Sequence, residues 1–171
     1  MPMPSDDRVM AAIAGIAERF AVPGVTVGAV LGDETRIWTH GRRRMEHADP
    51  VTPATTFQLA SCSKAYTAAA VAALVERNEL GWDDPVRKHL PEFRLYDDRL
   101  SDLATLRDLL GMRVGLKPEG IMYWGRNAEI GTDVLLKRFR HFEPLCGFRD
   151  RFVYSNPNYV LLTEIVRRRT G

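Results

Sequence analysis

Two residues in the first half of the chain, Ser61 and Lys64, could together carry nucleophilic chemistry. They lie in the run Ser-Cys-Ser-Lys, which begins an alanine-rich segment over 61–75 that is typical of a helix. Three residues of helix place the two side chains on one face, one turn apart. A serine hydroxyl is a weak nucleophile until a base removes its proton, and an uncharged lysine amine is such a base. The spacing therefore predicts a serine nucleophile beside its base.

The surroundings of Lys64 bear on that interpretation. Lys64 is the only charged residue over 61–75, so we expect a buried helix in which the lysine has little access to water. Burial and the positive end of a helix dipole both disfavour an ammonium, which favours a neutral amine. The amide of Ser61, at the helix start, would also face an oxyanion. The competing interpretation makes Ser61 a helix N-cap and Lys64 a surface lysine, and the motif alone leaves both open.

A second candidate group, Tyr154-Ser155-Asn156, precedes the last predicted helix. Alternate side chains of an extended turn project the same way, so Tyr154 and Asn156 are expected to face one pocket. The phenol could relay a proton if nearby cations lower its pKa, and the amide could bind a substrate carbonyl. Taken alone, a buried tyrosine beside an Asn-Pro helix start is the commoner explanation of these residues.

The elements that must position these groups are several helices and one hairpin. Ser5 begins a helix with apolar residues at three- and four-residue steps, and a β-hairpin follows that turns at Gly32-Asp33. Its strands are expected over 25–31 and 35–39. After the helix of Ser61 we expect helices over 105–110, 132–142 and 157–169. Tyr123 and Trp124, in a loop over 111–131, could form an active-site lid or an ordinary aromatic anchor.

Composition narrows the function classes. The chain has 171 residues, 45% of them hydrophobic, and its 24 basic and 22 acidic residues are scattered along its length. This balance is typical of one globular domain and argues against a nucleic-acid partner. No segment is apolar enough to span a membrane, and the start lacks an export signal, which favours the cytoplasm and free thiols. Cys62 is expected to be a buried packing residue, and the four histidines have no metal-ligand spacing.

The ordered motifs of the chain resemble those of a known superfamily. They are Pro23-Gly24-Val25, Val51-Thr52-Pro53, Thr56-Phe57 before LASCSK, the stretch LVERNELGWDDPVRKHLPEF, TLRDLL and YSNPNYVLL. Together they resemble the serine β-lactamase and penicillin-binding-protein-like superfamily, in the branch of class C β-lactamases, D-aminopeptidases and family VIII esterases. The resemblance implies that Ser61 is the acylated nucleophile, that Lys64 and Tyr154 share general-base and proton-relay work, and that Asn156 binds substrate.

The same resemblance implies a fold and a reaction. The fold class is α/β (α+β), β-lactamase/transpeptidase-like, with an N-terminal helix and antiparallel hairpin over 1–59 and a mainly helical part over 60–171. The reaction would be hydrolysis of a small ester or amide through an acyl-enzyme on Ser61, without a metal or organic cofactor. The absence of an export signal favours such a substrate over cell wall, while β-lactam hydrolysis stays open.

Two departures from the family pattern qualify this hypothesis. The third family motif, Lys-Thr-Gly or His-x-Gly on a sheet strand, does not occur in the 171 residues, so the domain over 1–171 is expected to be incomplete. A C-terminal half from a longer product or a second chain would complete the pocket. Without it, a catalytically inactive truncated remnant or binding module is the alternative. Gly111-Met112-Arg113-Val114-Gly115-Leu116 also stands where many relatives have His-Thr-Ser-Gly-Leu.

Overall fold

The computed structural model describes residues 4–117 and 131–171. These residues form two compact units, Met1–Gln58 and Leu59–Gly171. Tyr123 and Trp124, the predicted lid residues, lie outside the described residues. No helix in the described ranges is both long and apolar enough to cross a membrane.

The first unit contains one helix and one hairpin. Helix α1 spans Asp6–Arg19, strand β1 spans Gly24–Leu31 and strand β2 spans Glu34–Gly41. The strands pair antiparallel, with Leu31 opposite Glu34 at the turn and Gly24 opposite Gly41 at the other end. Gly32 turns the chain with φ 60°, a left-handed conformation that suits glycine. The predicted hairpin and its turn at Gly32-Asp33 are therefore confirmed.

Only part of the apolar face of α1 is buried. Ile13 and Ala17 are buried, as is Trp38 of β2, whose indole N–H donates to Asp6 at 2.9 Å. Ile16 and Phe20 lie on the predicted apolar face but are 59% and 65% exposed. The predicted helix is confirmed, and the buried stripe of α1 is narrower than its pattern of apolar residues.

The second unit is helical. A 3₁₀ turn over Ala60–Cys62 leads into α2, and a second 3₁₀ turn over Phe139–His141 follows α6. Thr105 caps α5 in a capping box with Asp108. The helices are α2 (Ser63–Glu76), α3 (Val86–His89), α4 (Asp98–Leu103), α5 (Leu106–Leu110), α6 (Thr132–Arg138) and α7 (Asn156–Thr170). Of the three later helices predicted, two match closely, and the one expected over 132–142 ends its α-helical part at Arg138.

The core of the second unit lies where α2, α5 and α7 meet. Phe93 and Phe139 sit in this core with ring centroids 6.1 Å apart. Burial of such a cluster from water is the main stabilisation available to a unit of this size. The helical residues of the cluster include Val71 and Leu74 of α2, Leu106 and Leu109 of α5, and Leu161, Leu162 and Ile165 of α7.

Helix α2 is less buried than its apolar sequence predicts. Val71 and Leu74 are buried against the core, but Tyr66 is 68% exposed and the neighbouring Ala69 and Ala73 are exposed too. The expectation of a helix buried all round is therefore wrong for the described structure. The apolar character of α2 comes largely from alanine, whose side chain carries so little surface that its exposure costs little.

Candidate active site

Ser61 sits in the 3₁₀ turn at the entrance to α2, and Lys64 lies in the first turn of that helix. Ala60, directly before Ser61, has φ 45°, a left-handed conformation that costs a non-glycine residue about 1–2 kcal/mol. The N-cap of α2 is Cys62 rather than Ser61, and the side chain of Cys62 makes no capping hydrogen bond. The competing interpretation of Ser61 as a helix cap is therefore wrong. Its hydroxyl is left for other partners.

Tyr154 and Asn156 flank the N-cap of α7. Ser155, between them, has extended backbone (φ −144°, ψ 112°) and is fully buried, so its two neighbours project to the opposite side. The amide of Ser155 donates to Sδ of Met112 at 3.4 Å, and the amide of Val153 donates to the Met112 carbonyl at 3.0 Å. The predicted alternation is confirmed, and Met112 holds the segment that carries it.

The four predicted site residues come together in one hydrogen-bonded group. The Tyr154 hydroxyl donates to Oγ of Ser61 at 2.6 Å. The Nζ of Lys64 donates to the same Oγ at 3.2 Å and to Oδ1 of Asn156 at 2.6 Å. Oγ of Ser61 therefore accepts hydrogen bonds from the phenol of Tyr154 and from Nζ of Lys64.

Lys64 lowers the pKa of Tyr154. The Nζ atom lies 4.8 Å from the centre of the Tyr154 ring. Hydrogen bonding to Lys64 is the largest cause that lowers the pKa of Tyr154 below its ordinary value of 10.0, and the hydrogen bond to Ser61 is the second. The phenolate is therefore easier to form here than in a free tyrosine.

Three expectations about this site need correction. Lys64 is half-buried rather than cut off from water, because the α2 face around it is partly open. Tyr154 is 41% exposed, so it is not the buried packing tyrosine that its sequence context alone would favour. Cys62 is exposed and so is not a buried packing residue. The contacts of Nζ of Lys64 are with the amide oxygen of Asn156 and with two tyrosine rings.

Two contributors to the site were not singled out by the sequence. Tyr159 places its ring 5.6 Å from Nζ of Lys64, and its position three residues after Asn156, on the same helix face, is a signal that could have found it. Met112, in the segment that departs from the family pattern, contacts Ser155 across 43 residues of sequence. No local pattern indicates that contact.

A groove lies beside this group between α2 and α7, and its lining includes neither Ser61 nor Tyr154. Its volume is about 340 Å³, and its lining includes Lys64, Thr67, Asn156, Tyr159 and Thr163. It is mostly apolar, with hydroxyl and amide groups placed along it, as in many small-molecule sites. Within 4–117 and 131–171, no group of three or more histidine, cysteine, aspartate or glutamate side chains is placed to hold a metal ion.

Comparison with known proteins identifies the family of the chain. Residues 10–171 match the model of the Beta-lactamase family. The chain is 27% identical over 163 residues to the unguisins hydrolase ungD' of Aspergillus campestris, which covers 90% of this chain and 30% of that protein. The chain thus spans less than a third of this curated relative.

Solved structures match nearly the whole chain. The octameric penicillin-binding protein homologue of Pyrococcus abyssi has a TM-score of 0.81 and 26% identity, and the match covers 98% of this chain and 40% of that one. The D-amino acid amidase of Ochrobactrum anthropi SV3 gives 0.77 and 25%, with 96% and 48% coverage. The resemblance of the fold to the β-lactamase/transpeptidase type is confirmed. With its family model matched from residue 10 to residue 171, the chain belongs to the Beta-lactamase family.

Proposed function

We propose that Ser61 is an acylated nucleophile in the hydrolysis of a small ester or amide. The observation that carries the proposal is the position of Oγ of Ser61, 2.6 Å from the Tyr154 hydroxyl and 3.2 Å from Nζ of Lys64. A base and a cation thus both reach the hydroxyl that must lose its proton. Membership of a family whose relatives include a named hydrolase and a named amidase supports the same reaction class.

In the proposed acylation, Tyr154 is the base and Lys64 the cation that supports it. The Tyr154 phenolate takes the hydroxyl proton of Ser61 while Oγ forms a bond to the substrate carbonyl carbon and the carbonyl π electrons move to oxygen. When the tetrahedral intermediate collapses, the bond to the leaving alcohol or amine breaks. That group takes the proton from Tyr154, which restores the phenolate.

Deacylation repeats the sequence with water. Water attacks the acyl carbon and gives its proton to Tyr154, and Oγ of Ser61 leaves and takes that proton back. Lys64 stays charged throughout, held by Oδ1 of Asn156, and its charge stabilises the phenolate in each half-reaction. The free amide N–H₂ of Asn156 is then available to donate to the substrate, the role proposed for this residue. No step needs a metal or an organic cofactor.

The substrate class is proposed from the site and from the relatives. The groove between α2 and α7 has a mostly apolar surface with threonine hydroxyls, Glu164 and Arg167 also line it, and its size suits a small ester or amide. The relative named as an amidase supports an amide, and the family as a whole supports β-lactams as a further class to test.

A second candidate is a catalytically inactive or binding module that keeps the two motifs without turnover. The observation in its favour is coverage, since the matched region is 30% of the curated relative and 40% and 48% of the solved chains. In this proposal residues 1–171 alone do not turn over substrate, and the third family motif would have to come from a longer product or a second chain.

Covalent labelling distinguishes these candidates. The protein is incubated with a fluorophosphonate, a p-nitrophenyl ester and a fluorescent penicillin, and adducts are located by mass spectrometry. We expect a fluorophosphonate adduct on Ser61 that Ser61→Ala removes and that Ser63→Ala, two residues away on the same exposed turn, retains. An adduct that survives Ser61→Ala would exclude Ser61 as the nucleophile. Labelling that appears only when the protein is extended at its C-terminus would favour the second candidate.

A further inference from the structure

Two aromatic rings flank the charged end of Lys64, and one of them has no part in the reaction proposed above. Nζ lies 4.8 Å from the ring centre of Tyr154 and 5.6 Å from that of Tyr159. Both distances are within the range of about 6 Å over which a ring face attracts a cation. Tyr154 takes part in proton transfer, so the ring of Tyr159 is the one that could hold the ammonium without changing its own state.

Tyr159 is held firmly enough to act as a fixed surface. Its hydroxyl donates to the carbonyl of Leu110, at the end of α5, at 3.2 Å, and its ring is half-buried in the second turn of α7. Burial is the first cause that raises the pKa of Tyr159, and the nearby Tyr154 is the second. A raised pKa favours the neutral phenol, whose ring presents the electron-rich face that attracts a cation.

The carboxylate that lines the groove, Glu164, is already paired with arginines. Glu164 lies one turn beyond Tyr159 and accepts from Nε and Nη2 of Arg167, both at 2.8 Å, and from Nε of Arg168 at 2.7 Å. Nζ of Lys64 contacts Ser61, Asn156 and the two rings. Within the described part of the chain, the ammonium thus has neutral partners and no carboxylate.

We propose that Tyr159 is a positioning residue that fixes the ammonium of Lys64 beside Tyr154 and so keeps the phenol of Tyr154 ready to act as the base. The reason is electrostatic. The hydrogen bond to Asn156 fixes one direction of the ammonium, and the ring of Tyr159 adds a second attraction towards α7, where Tyr154 and Asn156 lie. Without that ring the ammonium moves towards water, and its effect on the phenol weakens. The proposal rests on the function proposed above for Tyr154.

The test measures the Tyr154 phenol directly and the labelling of Ser61 separately. The protein is prepared with ¹³Cζ-tyrosine, the Tyr154 resonance is identified by its loss in Tyr154→Phe, and its pKa is read from a pH titration by NMR. We expect Tyr159→Leu to raise the pKa of Tyr154 by about half a unit to one unit. At a pH below that pKa, fluorophosphonate labelling of Ser61 should slow by roughly 3- to 10-fold.

Two matched variants isolate the ring. Tyr159→Phe keeps the ring face but loses the hydrogen bond to Leu110, and it should keep most of the effect on Tyr154. Tyr66→Leu removes a tyrosine from the exposed face of α2 and should change neither measurement. The proposal is overturned if Tyr159→Leu leaves the pKa of Tyr154 unchanged, or if Tyr159→Phe shifts it as far as Tyr159→Leu does. The NMR measurement decides this even if Ser61 is never labelled, an outcome that would contradict the proposed function instead.

Discussion

The two sides of the candidate site are held in place by different means. Ser61 and Lys64 are brought together by three residues of backbone at the start of α2, in surroundings that are exposed or half-buried. Tyr154 and Asn156 depend on partners far away in sequence, because the Ser155 amide bonds to Met112 across 43 residues. Ser61 and Lys64 thus lie close together because they are near each other in sequence. Tyr154 and Asn156 are held by buried contacts with distant parts of the chain.

That framework continues through an ion pair. Nε and Nη2 of Arg149, five residues before Tyr154, donate to Asp108 at 2.8 and 2.7 Å, and the Asp108 side chain is 6% exposed. Asp108 also closes the capping box of α5 with Thr105. Burial acts to raise the pKa of Asp108, but the hydrogen bonds from Arg149 and Thr105 outweigh it and lower the pKa. The approach to Tyr154 is therefore tied to α5 by a charged group that water hardly reaches.

The comparison predicts that the reacting side chains can be removed at great cost to the rate and little cost to the fold. We expect Tyr154→Phe to slow fluorophosphonate labelling of Ser61 by roughly 100- to 10,000-fold, the usual contribution of a proton-transfer group. We expect Lys64→Met to slow it by roughly 100- to 1,000-fold, because the charge that stabilises the phenolate is lost. Because Lys64 is half-buried and Tyr154 is 41% exposed, their thermal unfolding midpoints should stay close to that of the unchanged protein. Labelling kinetics and calorimetry measure the two effects.

The matched control for this prediction is Thr67→Val, which alters the groove one turn beyond Lys64 without touching Ser61. It should leave the labelling rate within a few-fold. If Lys64→Met labelled as fast as the unchanged protein, the ammonium would have no part in activating Ser61. If either variant unfolded readily, that side chain would help to hold the unit folded, and the contrast with the framework beneath Tyr154 would fail.

The framework beneath Tyr154 should show the opposite pattern, with its main effect on stability. Asp108→Ala removes a buried carboxylate that accepts from Arg149 and caps α5, and we expect it to lower the free energy of unfolding by about 2–4 kcal/mol. Denaturant titration measures this change. Labelling of Ser61 should fall as well, but only to the extent that the Tyr154 segment moves.

A surface ion pair in the same unit provides the control. Asp83 pairs with Arg107 at 2.7 Å, and both side chains are more than half exposed. Asp83→Ala should therefore change the unfolding free energy little. Equal effects of Asp83→Ala and Asp108→Ala would show that burial of the Asp108–Arg149 pair contributes nothing special to the fold.

The same contrast explains what could be predicted from the sequence. The pairing of Ser61 with Lys64 and the turn at Gly32-Asp33 follow from spacing and residue type within a few positions, so they were predictable. The contacts of Arg149 with Asp108 span 41 residues and follow no local pattern. The exposure of α2 has another cause. Alanine counts as an apolar residue in a sequence pattern, but its side chain has so little surface that burying it changes the free energy of folding only slightly.

The smallest predicted effect concerns the far end of α7 and appears only in acid. Hydrogen bonds from Arg167 are the largest cause that holds the pKa of Glu164 at about 2, below its ordinary value of 4.5. The folded protein therefore binds this proton less readily than the unfolded chain, and the stabilisation is complete above pH 4.5 and lost as the pH falls towards 2. Since Arg167 is 66% exposed, solvent weakens the pair, and we expect a contribution of about 1–3 kcal/mol.

Replacing Glu164 by glutamine removes the titrating group and keeps its shape, so Glu164→Gln should flatten the fall of unfolding free energy between pH 4.5 and 2. Glu76→Gln, at the exposed end of α2, is the matched control and should leave that slope unchanged. Denaturant titrations at several pH values supply the measurement. If Glu164→Gln kept the full slope, the acid sensitivity would arise elsewhere, with Asp84, whose pKa is also held at about 2, as the next carboxylate to replace. That result would assign the loss of unfolding free energy in acid to Asp84, which lies before α3 and binds Lys88 and His89, and not to Glu164 of α7.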